Sequence, residues 1–269
     1  MYSKNMQYDL VQLFALMSGE GAEIPQLRSV NMGNGSQGNL FADSENEEQF
    51  FSVEESDLAI IAALHSDARI NFSDLPTNVR HFFELSVDAF GTIVHSWMSE
   101  LPVTAEIVRF GRKVFASAGR QDANRIAADR GDPDVQAVQQ AAYKTWHEYH
   151  RLMGLLRFSP DEDGIYIARC EPDHFVLPAL GPHFRERFGQ TPWAIIDEKR
   201  RLCLRCMSAQ ALEFFCTNGN ATALANPAGG EWENLWRHYH KTINNESRNN
   251  PDLQRKFMPE RYWKYLTEM

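Results

Sequence analysis

Apolar positions recur with a helical period through the first half of the chain and alternate only after about residue 154. The clearest row is Val79, Phe82, Phe83, Ser86, Val87, Phe90, Val94, Trp97 and Met98, which predicts one long helix ended by Leu101-Pro102. A short amphipathic helix is expected from Tyr8 to Met17. Ser52-Val53-Glu54-Glu55 reads as a capping box opening a helix to about His65. Further helices are predicted over 104–117 and 122–130. Asp132-Pro133 supplies an N-cap and a first-turn proline for a helix to about Met153, burying Val135, Val138, Ala142, Trp146 and Tyr149.

The period then changes. Residues 155–159 and 164–170 read as strands around Pro160-Asp161-Glu162-Asp163-Gly164. After a helical stretch at 180–188, residues 193–196 and 202–207 form a second hairpin across Asp197-Glu198-Lys199-Arg200, and 211–217 is a fifth strand. A helix over 231–243 carries Trp232, Leu235, Trp236, Tyr239 and Ile243 on one face, expected to be core. The fold class is α+β: a helical N-terminal half, a small mostly antiparallel sheet of about five strands, and C-terminal helices. Three regions follow: an N-terminal helix and acidic Gly/Asn/Ser linker over 1–51, a helical region over 52–131, and an α+β region over 132–269 that can be continuous with it.

Charge divides the chain. Residues 1–179 hold 14 Lys and Arg against 26 Asp and Glu, a net of -12; residues 180–269 hold 13 against 10, a net of +3. An acidic half argues against nucleic-acid binding over the whole surface, and the basic C-terminal third is the place for an anion. No signal sequence and no membrane-length apolar run are visible, so a cytoplasmic location is expected, with Cys170, Cys203, Cys206 and Cys216 reduced.

The candidate chemistry is of two kinds. Glu171, Asp173 and His174 follow a strand, His183 lies nine residues on, and Asp197 ends another strand. Two imidazoles with carboxylates suit acid–base work or a divalent metal; equally, Asp173 can cap the next helix and the histidines can bond to backbone. The second kind is cationic: Arg248, Arg255, Lys256, Arg261 and Lys264 lie among the rings of the tail, where they can track a phosphate backbone or sit as surface charge around packed aromatics. Pro259 fits the first turn of a final helix, and Tyr262 or Trp263 is expected to pin that segment to the body. Arg157 and Arg169 on the first hairpin can hold a phosphate, or one of them can pair with Glu171; His150 is a further candidate. Cys203-Leu204-Arg205-Cys206 is a lone CxxC on a strand, which points its thiols to opposite faces. No phosphate-binding glycine loop and no iron–sulfur ligand set is present, and no cofactor is implied.

Four segments together resemble a bacterial family of DNA-metabolism proteins that has no established chemistry. They are His150 to Phe158; Glu171 to Pro178 with His183-Phe184 and Arg187-Phe188; Trp193 to Asp197 with Arg200; and Trp236 to Tyr239 with Arg248 to Leu266. Members sit beside a radical-SAM protein of the spore-photoproduct-lyase kind. A related C-terminal domain is appended to some uracil-DNA-glycosylase-like proteins. The resemblance implies an accessory role in DNA repair or modification with a radical-SAM partner, with single-stranded or damaged DNA as a contact. A hydrolase or lyase built on the Glu/Asp/His set, or a purely structural interaction module, are the alternatives.

Overall fold

A computed structural model describes residues 9–19, 55–65, 72–207, 212–217, 231–245 and 250–267. The capping box at Ser52, the linker over 29–50 and Arg248 lie outside the described residues. The chain divides into two compact units: His150–Pro172 and everything from Phe184 onward belong to the second, while Asp173–His183 returns to the first.

The first unit is helical. Its elements are α1 (Leu10–Ser18), α2 (Glu55–Leu64), α3 (Thr77–Leu85), α4 (Val87–Trp97), α5 (Thr104–Phe115), α6 (Arg120–Ala127) and α7 (Pro133–Leu155) as far as Tyr149. Asp9 caps α1 reciprocally with Gln12, and the buried Asp57 of α2 accepts from the Leu10 amide at 2.9 Å, so two carboxylates take the Gln12 and Leu10 amides of that terminus. The single helix expected through Met98 is two. Ser86 is extended, at φ -159° and ψ 110°, and its hydroxyl caps α4 at the Ala89 amide. The apolar period runs across the break because both helices bury the same side of the chain; Phe82 and Phe90 both pack on Phe14, at 5.2 and 5.6 Å.

Helix α1 lies close on α5 because Gly111 presents no side chain there. A Cβ built at Gly111 would collide with the Met17 side chain and stand 3.2 Å from its Cβ. Gly111→Ala is expected to cost about 1–3 kcal/mol by overpacking. Adding Met17→Ala should return part of that loss in a chemical-denaturation series. Strict additivity of the two changes would refute the contact.

The second unit is built on a five-stranded sheet in the order β1-β2-β3-β4-β5: β1 (Ser159–Pro160), β2 (Tyr166–Cys170), β3 (Trp193–Asp197), β4 (Leu202–Cys206) and β5 (Glu213–Cys216). Three pairings are antiparallel and one, β2 with β3, is parallel; α8 (Leu177–Phe188) makes the crossover that parallel strands require. The long helix α7 continues through the expected start of the first strand, leaving β1 two residues. Every residue of β3 is buried, which explains its unbroken Trp-Ala-Ile-Ile run. Phe158, Phe184, Phe188 and Trp193 form a ring cluster with centroids 4.8 to 6.4 Å apart. Ile167, Ala194, Ile196 and Cys203 pack on the other face. The α+β class is therefore as expected, with a mixed sheet. No described helix is long and apolar enough to cross a membrane.

Candidate functional site

The residues after β2 divide between the two units. In the second, Glu171 pairs with Lys264 at 2.7 Å. In the first, Glu148 on α7 turns inward: Oε1 accepts from the Asp173 amide at 2.8 Å and Oε2 from the His174 amide at 2.6 Å. Glu148 is buried although it is a carboxylate, so its two charge-assisted bonds compensate the desolvation. His174 Nδ1 accepts from the Glu100 amide at 3.1 Å, which places the proton of the neutral ring on Nε2. The Phe175 amide donates to the Met98 carbonyl at 2.9 Å. Asp173 itself is exposed, and His183 is half-buried on α8.

Asp197 is fully buried at the end of β3. Its Oδ1 accepts from the Arg200 amide at 3.0 Å and its Oδ2 from Arg200 Nη1 at 2.9 Å; the same nitrogen reaches the Pro172 carbonyl at 3.0 Å. Burial pushes the Asp197 carboxyl above the usual carboxylate range, and Arg200 pulls it back. The turn this pair closes ends in Arg201 at φ 54°, a left-handed conformation uncommon outside glycine. Among the candidate acids and bases, Asp173, His174 and His183 thus fall in the first unit, and Glu171 and Asp197 in the second, each carboxylate of the latter already in an ion pair. Among the described residues no three of His, Cys, Asp and Glu stand together as a metal site.

Arg169, Arg255, Arg261 and Lys264 are engaged as well, while Lys256 is exposed on the segment before the last turn. Arg169 pairs with Glu198, at 3.0 Å, where Glu171 was the expected partner. Glu198 also accepts from the Tyr265 hydroxyl at 2.6 Å. Burial pushes the Glu198 carboxyl up, but Tyr265 and Arg169 together hold it below its ordinary value, and burial with that bond raises the Tyr265 phenol. Arg255 pairs with Glu260 at 2.9 Å and Asp252 at 3.5 Å, and Arg261 lies 4.7 Å over the Tyr262 ring. Tyr262 and Leu266 are buried, so the tail is pinned by a ring as expected, through a 3-10 segment (Glu260–Tyr265) after α10 (Pro251–Phe257).

Two expectations of burial fail. On α9 (Glu231–Ile243), Leu235, Trp236, Tyr239 and Ile243 are exposed, Trp236 to 39%. The Trp232 side chain lies outside the described residues. Trp146 on α7 is 42% exposed, at the edge of the face formed by Val135, Val138, Ala142 and Tyr149. The periodicity shows that a face is apolar, not that the chain covers it. The Arg157 guanidinium lies 5.8 Å over the Trp236 ring and donates to the Gly154 carbonyl; His150 is exposed near the end of α7. Cys170, Cys203 and Cys206 are buried thiols, and burial pushes the Cys203 thiol up to about 12, so it is no nucleophile. The sequence reading missed Glu148; its only trace is an acid in register with Thr145, Tyr149 and Leu152 on the buried side of α7.

A mixed α+β body with an anchored basic tail is the class these features define. The chain belongs to the DUF4130 family, a domain of unknown function whose model matches residues 106–268. No curated protein and no solved structure matches it.

Proposed function

We propose that this chain is an accessory protein of DNA repair or modification, which holds single-stranded or damaged DNA through its C-terminal third while a radical-SAM partner supplies the chemistry. The partner and the pathway rest on the resemblance of the signature segments. The DNA contact is supported by one observation: α9 leaves Trp236 and Tyr239 at the surface, 5.7 Å apart, with the Arg157 guanidinium over the Trp236 ring, on a helix that also carries Arg237, His238, His240 and Lys241. Exposed rings among cations are the elements of a sequence-tolerant stacking platform. The engagement of Arg255, Arg261 and Lys264 within the protein moves the proposed contact from the tail to α9. The hydrolase or lyase reading has less support, since Glu171 and Asp197 are ion-paired.

Fluorescence anisotropy of a labelled single strand at low salt tests it. The protein should bind, with affinity falling linearly in log salt. Trp236→Ala with Tyr239→Ala should weaken binding by about tenfold or more, from the loss of stacking. Because both rings are exposed, the melting temperature should hardly move. Absence of binding, or equal binding by the variant, would remove DNA from this face.

A further inference from the structure

Helix α9 is exposed on every side from Asn234 to Ile243, although it carries an apolar stripe. Leu235, Tyr239 and Ile243 are each more than half exposed, and so is much of Trp236. A helix of 13 residues is marginal in water without a packed face. An apolar stripe left uncovered on such a helix marks a surface that another molecule covers.

The order of residues along the stripe says which molecule. Positions 232, 236, 239 and 243 hold Trp, Trp, Tyr and Ile, at spacings of four, three and four. That is the alternation of a two-helix seam, and it reads the same in both directions. A two-fold axis crossing α9 between Arg237 and His238 therefore sets Trp236 against Tyr239 of a second copy, and Ile243 against position 232. The flanking charges agree. Position 233 holds Glu and position 240 holds His, on the same side of the seam. They stand about 10 Å apart along the axis, too far to pair within one copy. The same two-fold axis brings each beside the other across the contact, acid against imidazole, twice per pair. The sequence also puts Glu231 and Glu233 in the first turn and His240 and Lys241 in the last. An antiparallel pair lays acidic end on basic end and opposes the helix dipoles, whereas a parallel pair would lay like ends together.

We propose that this chain pairs with a second copy of itself along α9, in antiparallel orientation, with Trp236 and Tyr239 at the centre of the contact. The half-exposed side chains of the stripe offer roughly a few hundred Å² per copy, less than a standard interface, so the pair is weak and forms as concentration rises. The inference stands apart from the DNA reading. Both use the same two rings, so a nucleic-acid strand and a second copy compete for them.

Sedimentation velocity of the full chain over a concentration series tests the pairing. No nucleic acid is present, so failure here and failure of strand binding are separate results. The wild type should move from monomer towards dimer as concentration rises. Leu235→Glu with Ile243→Glu should sediment as monomer throughout; both residues are exposed, so circular dichroism should show the body still folded. His240→Glu should weaken the pair by roughly tenfold, since two attractive contacts become repulsive. Adding Glu233→Lys to it should restore the pair, a recovery that a change confined to one helix would not give. Monomer at every concentration overturns the proposal. So does association that survives the Leu235 and Ile243 changes, or that does not fall and recover with the charge exchange: another face or another orientation then makes the contact.

Discussion

Asp197→Ala should cost the protein about 3–5 kcal/mol, the loss expected when one partner of a buried ion pair is removed and the other stays behind. Arg200 is that other partner: its side chain is only 3% exposed, and its guanidinium would keep just the Pro172 carbonyl of the bonds described. The Arg200 amide loses its acceptor at the same time. The sheet turn after β3 should loosen first, since this pair closes it. A melting temperature lower by roughly 10 °C is the expected reading for a chain of this size. Adding Arg200→Met should recover much of the loss, because a buried pair replaced by apolar groups of similar volume is often no worse than the pair. A single variant within 1 kcal/mol of wild type would show that water reaches the pair.

Glu148→Ala is the second large effect, at about 3 kcal/mol. Each of its two bonds is charge-assisted, and the His174 amide is buried, so deletion leaves a donor without water or protein to accept it. Glu148→Gln keeps the shape and one good acceptor, and should cost roughly half as much. Hydrogen exchange at the Asp173 and His174 amides gives the local reading: faster in both variants, fastest in the alanine. Unchanged exchange at these amides would mean that the turn after β2 holds itself.

Elements with a local cause were legible in the sequence. Asp132-Pro133 marked the start of α7, and the turn residues over Asp197–Arg200 marked the β3–β4 hairpin. The break at Ser86 was hidden, because α3 and α4 bury the same side and the period survives the interruption. The parallel pairing of β2 with β3 is hidden too: α8 carries Gly181-Pro182, and its sequence signal over 180–188 is shorter than the crossover it forms. The candidate site fared worse. In the sequence Asp197 is a charge at a strand end, and only its distance to Arg200, three residues on, shows it to be a turn lock. Glu148 carries no signal in the sequence, because a lone acid in a helix is ordinarily a solvated one. The apolar row of α9 was correctly periodic and wrongly placed inside, because periodicity belongs to one element and burial to two.

The matched family segment begins at residue 106, inside α5, and this has a consequence for modularity. Ile107, Phe110 and Val114 of that helix are wholly buried, and α1 and α4, which supply much of the cover, precede the segment. Residues 106–268 of this chain, taken alone, are therefore expected not to be a self-sufficient folding unit. A fragment of this protein cut at residue 106 would display these three side chains as a sticky seam.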